Sequence, residues 1–262
     1  MAEGRIIVET KDGVGRIVLD NQERLNAISF DMWQAATAAL KGFASDPKVR
    51  VVVVTGAGEK AFAAGADISK FENERGSKAA VDRYNQAVSD AYSALLELPK
   101  PSIARLRGYT IGGGLAFALC ADIRIAAEDV TVAIPAAKLG LGYGYDGIKH
   151  LVDLVGPSNA MEIFFTAKRF TAIEAQTMGL INRVVPIDRL DAVVDDYTAT
   201  IAGNAPLTIA SVKRIIKETV KEPAGRDHDL CERLVQECYA SADYQEGRLA
   251  FMEKRKPRFQ GR

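Results

Sequence analysis

The chain is poor in the residues that build metal sites and disulfide frameworks. Among its 262 residues are two histidines, His150 and His228, and three cysteines, Cys120, Cys231 and Cys238. Two imidazoles exclude a multi-histidine metal centre. An odd cysteine count without C-x-x-C spacing excludes both a disulfide scaffold and a zinc knuckle. Cys231 and Cys238 fall seven apart on an expected helix, about 10 Å along its axis, too far for a disulfide. All three are read as reduced thiols, which predicts a cytoplasmic protein. Net charge is also missing: 34 basic residues cancel 34 acidic ones. No net field therefore favours nucleic acid or an anionic membrane. No apolar run approaches the roughly 20 residues of a membrane span, and "MAEGRIIVETKDG" lacks the charged-then-apolar order of a signal peptide.

What remains is the composition of a globular enzyme, 48% hydrophobic and 26% charged. "RIIVET" and "GRIVLD" flank "KDGV" and predict a hairpin. Ser29 is placed to cap a helix that stops near Asp46-Pro47. "VRVVVVTG" predicts a strand covered on both faces. A long amphipathic helix from about Ser77 to Leu98 ends at Pro99 and Pro101. "SIARLRG", "DIRIAA", "TVAIP" and "RVVP" are further strands, and the tail from about Ala205 to Arg255 reads as helical throughout. Strands alternating with helices ahead of a helical tail predict an α/β core, residues 1–200, with an all-α extension, residues 201–262.

One stretch carries chemistry. "GYTIGGGLAFALCAD" places Gly112, Gly113 and Gly114 ahead of an apolar helix. It has neither the Lys-Ser/Thr of a P-loop nor the spacing of a dinucleotide fingerprint. A glycine-rich turn entering a helix presents backbone N–H groups and the positive end of the helix dipole. Without Cβ atoms, a ligand oxygen can come within hydrogen-bonding distance. Such a turn suits a developing oxyanion, with a second donor expected from "KAFAAGADIS" after the valine strand.

Five segments in order, "RLNAIS", "AFAAGADI", "GYTIGGGLAFALCADIRIA", "AAKLGLG" and "AFMEKRKPRF", resemble the crotonase family of enoyl-CoA hydratases and isomerases over nearly the whole chain. The resemblance implies a spiral of ββα turns with a C-terminal helical region that assembles trimers and pairs of trimers. It implies an acyl-CoA substrate and no resident cofactor. It places the two oxyanion-hole N–H groups on Ala66 and Gly113, with Gly112 among the substrate-binding residues. Coenzyme A contacts fall on the backbone of Arg24, Leu25 and Ala27 and on the loop around Ala64 and Asp67. Phe251 and Lys254 match tail positions that reach the nucleotide part, often in a neighbouring subunit. The acyl pocket is expected from the helix around residues 72–92 and the loop 138–147.

The chain departs from that family's hydratase pattern at two points. Its G-G-G-x-E glutamate is Ala116 here, and its Pro-Glu glutamate is Ala136. Loss of one positioned acid–base group typically costs about 10²–10⁴-fold, whereas loss of carbon dioxide from a malonyl-type thioester generates an enolate without a base. The loop "LGLGYGYDGIKHL" and the tail are similar to those of methylmalonyl-CoA decarboxylases, which place a tyrosine at Tyr143. That pattern also has a histidine where this chain has Ala66, and an acid after the glycine turn that is absent here. Decarboxylation is therefore the leading expectation. An enoyl-CoA hydratase of fatty-acid β-oxidation and a non-catalytic acyl-CoA-binding protein are the alternatives. Tyr143 and Tyr145 are each read as a proton donor or as an amphipathic wall of the acyl pocket, and Tyr143 also as a group that orients a reacting carboxylate. Asp146 is read as a helix N-cap in preference to a catalytic acid, and it is the nearby candidate for the replacement carboxylate a hydratase would need. His150 is read as a packing or solvated residue.

Overall fold

The structure, a computed structural model, describes residues 3–67 and 77–262. Strands β1 (Arg5–Lys11) and β2 (Val14–Asp20) pair antiparallel, with Lys11 opposite Val14. The two-residue loop between them is Asp12-Gly13, both at positive φ (50° and 81°). This is the turn chemistry that Asp-Gly favours between twisted strands. Ser29 accepts a hydrogen bond from the Met32 N–H and opens α1 (Phe30–Ser45).

Strand β3 (Val51–Gly56) shows why four valines can follow one another. Val52 and Val54 pack with Trp33, Leu40 and Phe62, while Val51 and Val53 pack with Ile103, Ile125 and Leu190 on the opposite face. Successive side chains point to opposite faces, and both faces are covered.

From here the chain repeats one unit. A strand in one sheet is followed by a short strand in a second sheet and then by a helix, directly after Tyr109–Ile111 and past a 3-10 turn at Pro135–Leu139 after Thr131–Ala133. β3 leads to β4 (Ala61–Ala63) and, beyond the undescribed residues, α2 (Lys78–Leu96). β5 (Ser102–Leu106) leads to β6 (Tyr109–Ile111) and α3 (Gly113–Leu119). β7 (Ile123–Ala127) leads to β8 (Thr131–Ala133) and α4 (Tyr145–Thr166). β9 (Phe170–Thr171), α5 (Ala172–Thr177), β10 (Arg183–Val185) and α6 (Leu190–Gly203) complete the core. The first sheet has the order β1-β2-β3-β5-β7-β10 and the second β4-β6-β8-β9. Parallel pairing within each sheet makes the ββα turns a spiral, the α/β architecture expected. Residue 200 falls inside α6, whose Leu190 and Val194 pack on the large sheet.

The tail is not helical throughout. It forms α7 (Pro206–Thr219), α8 (His228–Ala240) and α9 (Ala242–Met252). The first break carries Pro223 and Gly225, and the second turns at Ser241, which caps α9 by accepting from the Tyr244 N–H. No helix among the described residues is long and apolar enough to cross a membrane.

Candidate active site

The "RLNA" turn and the "AGAD" loop are stitched together by backbone. Leu25 and Asn26 both adopt left-handed φ (52° and 56°), which turns the chain sharply between β2 and α1. The Ala64 N–H donates to the Leu25 carbonyl (2.9 Å). Ile28 N–H donates to the Gly65 carbonyl (2.8 Å), and Asp67 N–H to the Ile28 carbonyl (3.1 Å). In such a parallel bridge the flanking residues make the bonds, so the Ala66 N–H between them faces the other way.

What Ala66 faces is the start of α3. A Cβ built on Gly65 would lie 3.5 Å from the Gly113 nitrogen, and one built on Gly113 would lie 4.0 Å from the Ala66 nitrogen. Gly113 is the first residue of α3, where N–H groups have no intrahelical acceptor. Among the described residues, neither N–H donates to a protein acceptor. Two free donors from distant parts of the chain thus stand side by side.

The three glycines of the turn do different things. Gly112 sits at φ +54°, ψ −122°, a conformation costly for a side-chain-bearing residue. A Cβ on Gly114 would fall 2.6 Å from both the Cβ and the carbonyl oxygen of Ala63, so this glycine permits close packing on β4. Gly113 has ordinary helical φ and no clash. Helix α3 is secured at its far end by one cation and an imidazole. The buried Arg124 guanidinium donates to the Ala121 and Leu180 carbonyls (both 2.6 Å), and His150 Nε2 to the Leu119 carbonyl (2.8 Å). Donors are favourable at a helix C-terminus. His150 thus has a partner at the helix end.

A cavity of about 470 Å³ lies between α2, α3 and the first two turns of α4. Its walls include Val88, Tyr92 and Leu96 from α2, Ala116 and Cys120 from α3 and its end, and Tyr143, Asp146 and His150. Ala116, at the position of one family glutamate, is thus a wall residue. Ala136, at the other, is buried in the core cluster. Among the described residues, Asp146 is the one carboxylate-bearing residue that lines the cavity. It does not cap α4. The helix begins two residues earlier than a cap at 146 requires, with extended Gly144 (ψ 155°) in that place and Asp146 in the first turn. Residues 72–76, also expected at the pocket, lie outside the described residues.

Burial controls the protons here. The Tyr143 hydroxyl is pushed up to about 12 by desolvation, with the Cys120 thiol adding to it. Cys120 itself is raised to about 12 by burial, only partly opposed by Arg124. Tyr92 is raised well above its ordinary value, again mainly by burial. Both phenols remain neutral hydrogen-bond donors across working pH, and Cys120 is an unreactive thiol. Tyr143 packs edge-on against Phe164, with ring centroids 4.9 Å apart.

Other expected site residues lie elsewhere. Tyr145, in the first turn of α4, is 76% exposed and does not join the described residues that line the cavity. Phe251, 82% exposed, borders a separate apolar groove of about 560 Å³ among α7, α8 and α9. Lys254 is exposed just beyond α9, at φ 54°. Arg24 and Asp67 are brought together, with one guanidinium nitrogen 2.9 and 3.0 Å from the two carboxylate oxygens. These side chains clamp the loop to the turn, while their backbone remains the part expected to meet coenzyme A.

Sequence reading missed Asn26 and Tyr92. Asn26 accepts from the Asn21 N–H (3.0 Å) and donates to the Ala57 and Ala61 carbonyls (2.9 and 2.7 Å). Asparagine next to a left-handed residue was the available signal. Tyr92 lines the cavity and donates to the Gly113 carbonyl at 3.0 Å. Within an amphipathic helix nothing in the sequence distinguishes it from an ordinary core aromatic.

The spiral of ββα turns that brings these two unpaired N–H groups together is shared with solved enoyl-CoA hydratase/isomerase structures. The sequence profile of the enoyl-CoA hydratase/isomerase family matches residues 9–262, and this chain belongs to that family. It is 34% identical over 249 residues to a probable mitochondrial enoyl-CoA hydratase of Dictyostelium discoideum, covering 95% of this chain and 88% of the relative. It is 32% identical over 260 residues to a crotonyl-CoA hydratase of Syntrophomonas wolfei, covering 99% of both. An enoyl-CoA hydratase/carnithine racemase from Magnetospirillum magneticum superposes with a TM-score of 0.92 at 31% identity, over 100% of this chain and 97% of the other.

Proposed function

We propose that the protein acts on an acyl-CoA thioester whose carbonyl oxygen is held between the N–H groups of Ala66 and Gly113, so that an enolate forms there. The observation that carries this reading is the approach of two unpaired backbone donors from separate segments. Donors fixed before the reaction stabilise charge as it develops, and one such donor is worth about 2.7–4 kcal/mol. Coenzyme A would lie along the turn at Arg24, Leu25 and Ala27 and the loop at Ala64 and Asp67.

Addition of water to an enoyl-CoA, or its reverse, is the reaction that the relatives' names support best. With alanine at 116 and 136, proton transfer to and from water falls, among the described residues, to Asp146, which lines the cavity. Decarboxylation of a malonyl-type thioester is the second reading, favoured by Ala116 on that wall and by a neutral Tyr143 able to orient a carboxylate without stabilising its charge. Incubation with crotonyl-CoA, methylmalonyl-CoA and malonyl-CoA, followed by product analysis, separates the two. Under the first reading, crotonyl-CoA is hydrated and Asp146→Asn lowers turnover about 10²-fold or more, while Tyr143→Phe changes it little. Under the second, carbon dioxide is released, Tyr143→Phe lowers its rate and Asp146→Asn does not. Consumption of none of the three, with tight coenzyme A binding, would support a binding protein instead.

The exposed apolar side chains of the tail, among them Val212, Ile216, Tyr239, Leu249 and Phe251, favour assembly into a trimer or hexamer. Sedimentation at micromolar concentration should give three or six copies, and a monomer would overturn this. Three free thiols and the balanced charge suit a cytoplasmic setting.

A further inference from the structure

We propose that Tyr92 is a positioning residue for the oxyanion site, holding Gly113 in register with Ala66 from behind the turn. The inference rests on the thioester reading above, and it starts from a mechanical problem. Gly112, Gly113 and Gly114 give the turn little stiffness of its own, since glycine loses more freedom on ordering than any other residue. A donor that must meet an oxygen accurately therefore needs support from outside its own segment. Misplacement by about 1 Å can cost 10²-fold in rate.

Tyr92 supplies that support with a rigid side chain. Its hydroxyl donates to the Gly113 carbonyl (3.0 Å). Its ring meets Trp33 edge-on (centroids 5.6 Å apart) and lies nearly parallel to Phe117 (6.2 Å, 21°), one helical turn beyond Gly113. Trp33 extends the bracket to the other donor. The indole N–H donates to the Tyr84 hydroxyl (3.1 Å), and that hydroxyl to the Ile28 carbonyl (3.4 Å). Ile28 is the residue bridged to Ala66. One aromatic set on α1 and α2 thus ties the strand position of one N–H to the helix position of the other. Because burial holds the Tyr92 proton in place, the bond to Gly113 persists across working pH.

The test uses acetyl-CoA labelled with carbon-13 at its carbonyl, read by isotope-edited infrared spectroscopy on the bound complex. The wild-type protein should lower the carbonyl stretch relative to free acetyl-CoA. Tyr92→Phe should move that stretch part of the way back. On whichever thioester the enzyme turns over, the same change should reduce kcat about tenfold, short of the 10²–10³ that follows outright loss of a donor. KM should stay within about twofold, because the coenzyme A contacts are made elsewhere. Tyr84→Phe should shift the stretch in the same direction through the Ile28–Ala66 side, and it carries the test if Tyr92→Phe does not fold. An unchanged stretch and kcat in folded variants would overturn the proposal. A new pH dependence of kcat on removing the hydroxyl would also overturn it, by making Tyr92 a proton-transfer group. If the wild-type protein leaves the carbonyl stretch at its free value, the oxyanion reading itself fails, an outcome distinct from a failure of Tyr92 alone.

Discussion

Alanine at position 113 should leave the protein folded and remove most of its activity. A Cβ there meets the Tyr92 hydroxyl at 3.5 Å, Trp33 at 3.8 Å and the Ala66 nitrogen at 4.0 Å, all ordinary contacts. Alanine is also a better helix former than glycine by about 1 kcal/mol, so stability should hold or rise slightly. The added methyl nevertheless stands beside the two N–H groups, where a carbonyl oxygen accepting from both must sit about 2.9 Å from each. We expect Gly113→Ala to lower kcat/KM by about 10²–10³-fold with a melting temperature at or above that of the unaltered protein. Gly114→Ala should behave in the opposite sense. Its methyl lies 2.6 Å from Ala63, an overpacking that costs about 1–3 kcal/mol or more and lowers the melting temperature. Thermal melts beside steady-state kinetics check both. Full activity in Gly113→Ala would remove Gly113 from the oxyanion site.

The second large effect is expected at Asn26, which is 1% exposed. Truncation to alanine leaves the Asn21 N–H and the Ala57 and Ala61 carbonyls without this partner. Each buried group so stranded costs about 1–3 kcal/mol. Alanine must also hold the left-handed φ of 56°, which asparagine tolerates better. Together these predict a loss of about 4 kcal/mol in urea unfolding, a large share of the roughly 5–15 kcal/mol of a native domain. Asn26→Asp should not rescue it, because a carboxylate would place negative charge against the two carbonyl oxygens that the amide nitrogen satisfies. Since Asn26 sits inside the turn carrying Arg24, Leu25 and Ala27, coenzyme A affinity should fall as well. A change below about 1 kcal/mol would contradict this account of the turn.

The pair of expectations shows how one sequence can require neighbouring glycines for unrelated reasons. Three in a row read as a single motif along the chain. In space, Gly112 supplies a backbone conformation, Gly113 a helix-start N–H close to that of Ala66, and Gly114 a close helix–strand contact. The same limit appears at Asp146 and Tyr145. Their order in "GYGYDG" suggests a capping aspartate and a wall tyrosine. With α4 starting at Tyr145, the tyrosine is exposed and Asp146, also exposed, falls in the first turn among the residues that line the cavity.

By itself the sequence determined the elements whose causes are local. Asp12-Gly13 dictated a tight hairpin, Ser29 a helix start, and the unbroken valines a strand covered on both sides. It also determined which chemical groups are available, with glycines and backbone donors present and alanine at positions 116 and 136. Tertiary structure alone decided which of these groups meet. Ala66 and Gly113 are 47 residues apart, and their nitrogens become neighbours only because β4 and β6 pair in parallel and the Ile28 bridge turns one N–H toward the other. Tyr92 reaches the Gly113 carbonyl only because α2 packs beside α3. Local propensity specifies a backbone's conformation. Proximity between distant segments comes from the burial of apolar surface that those segments share.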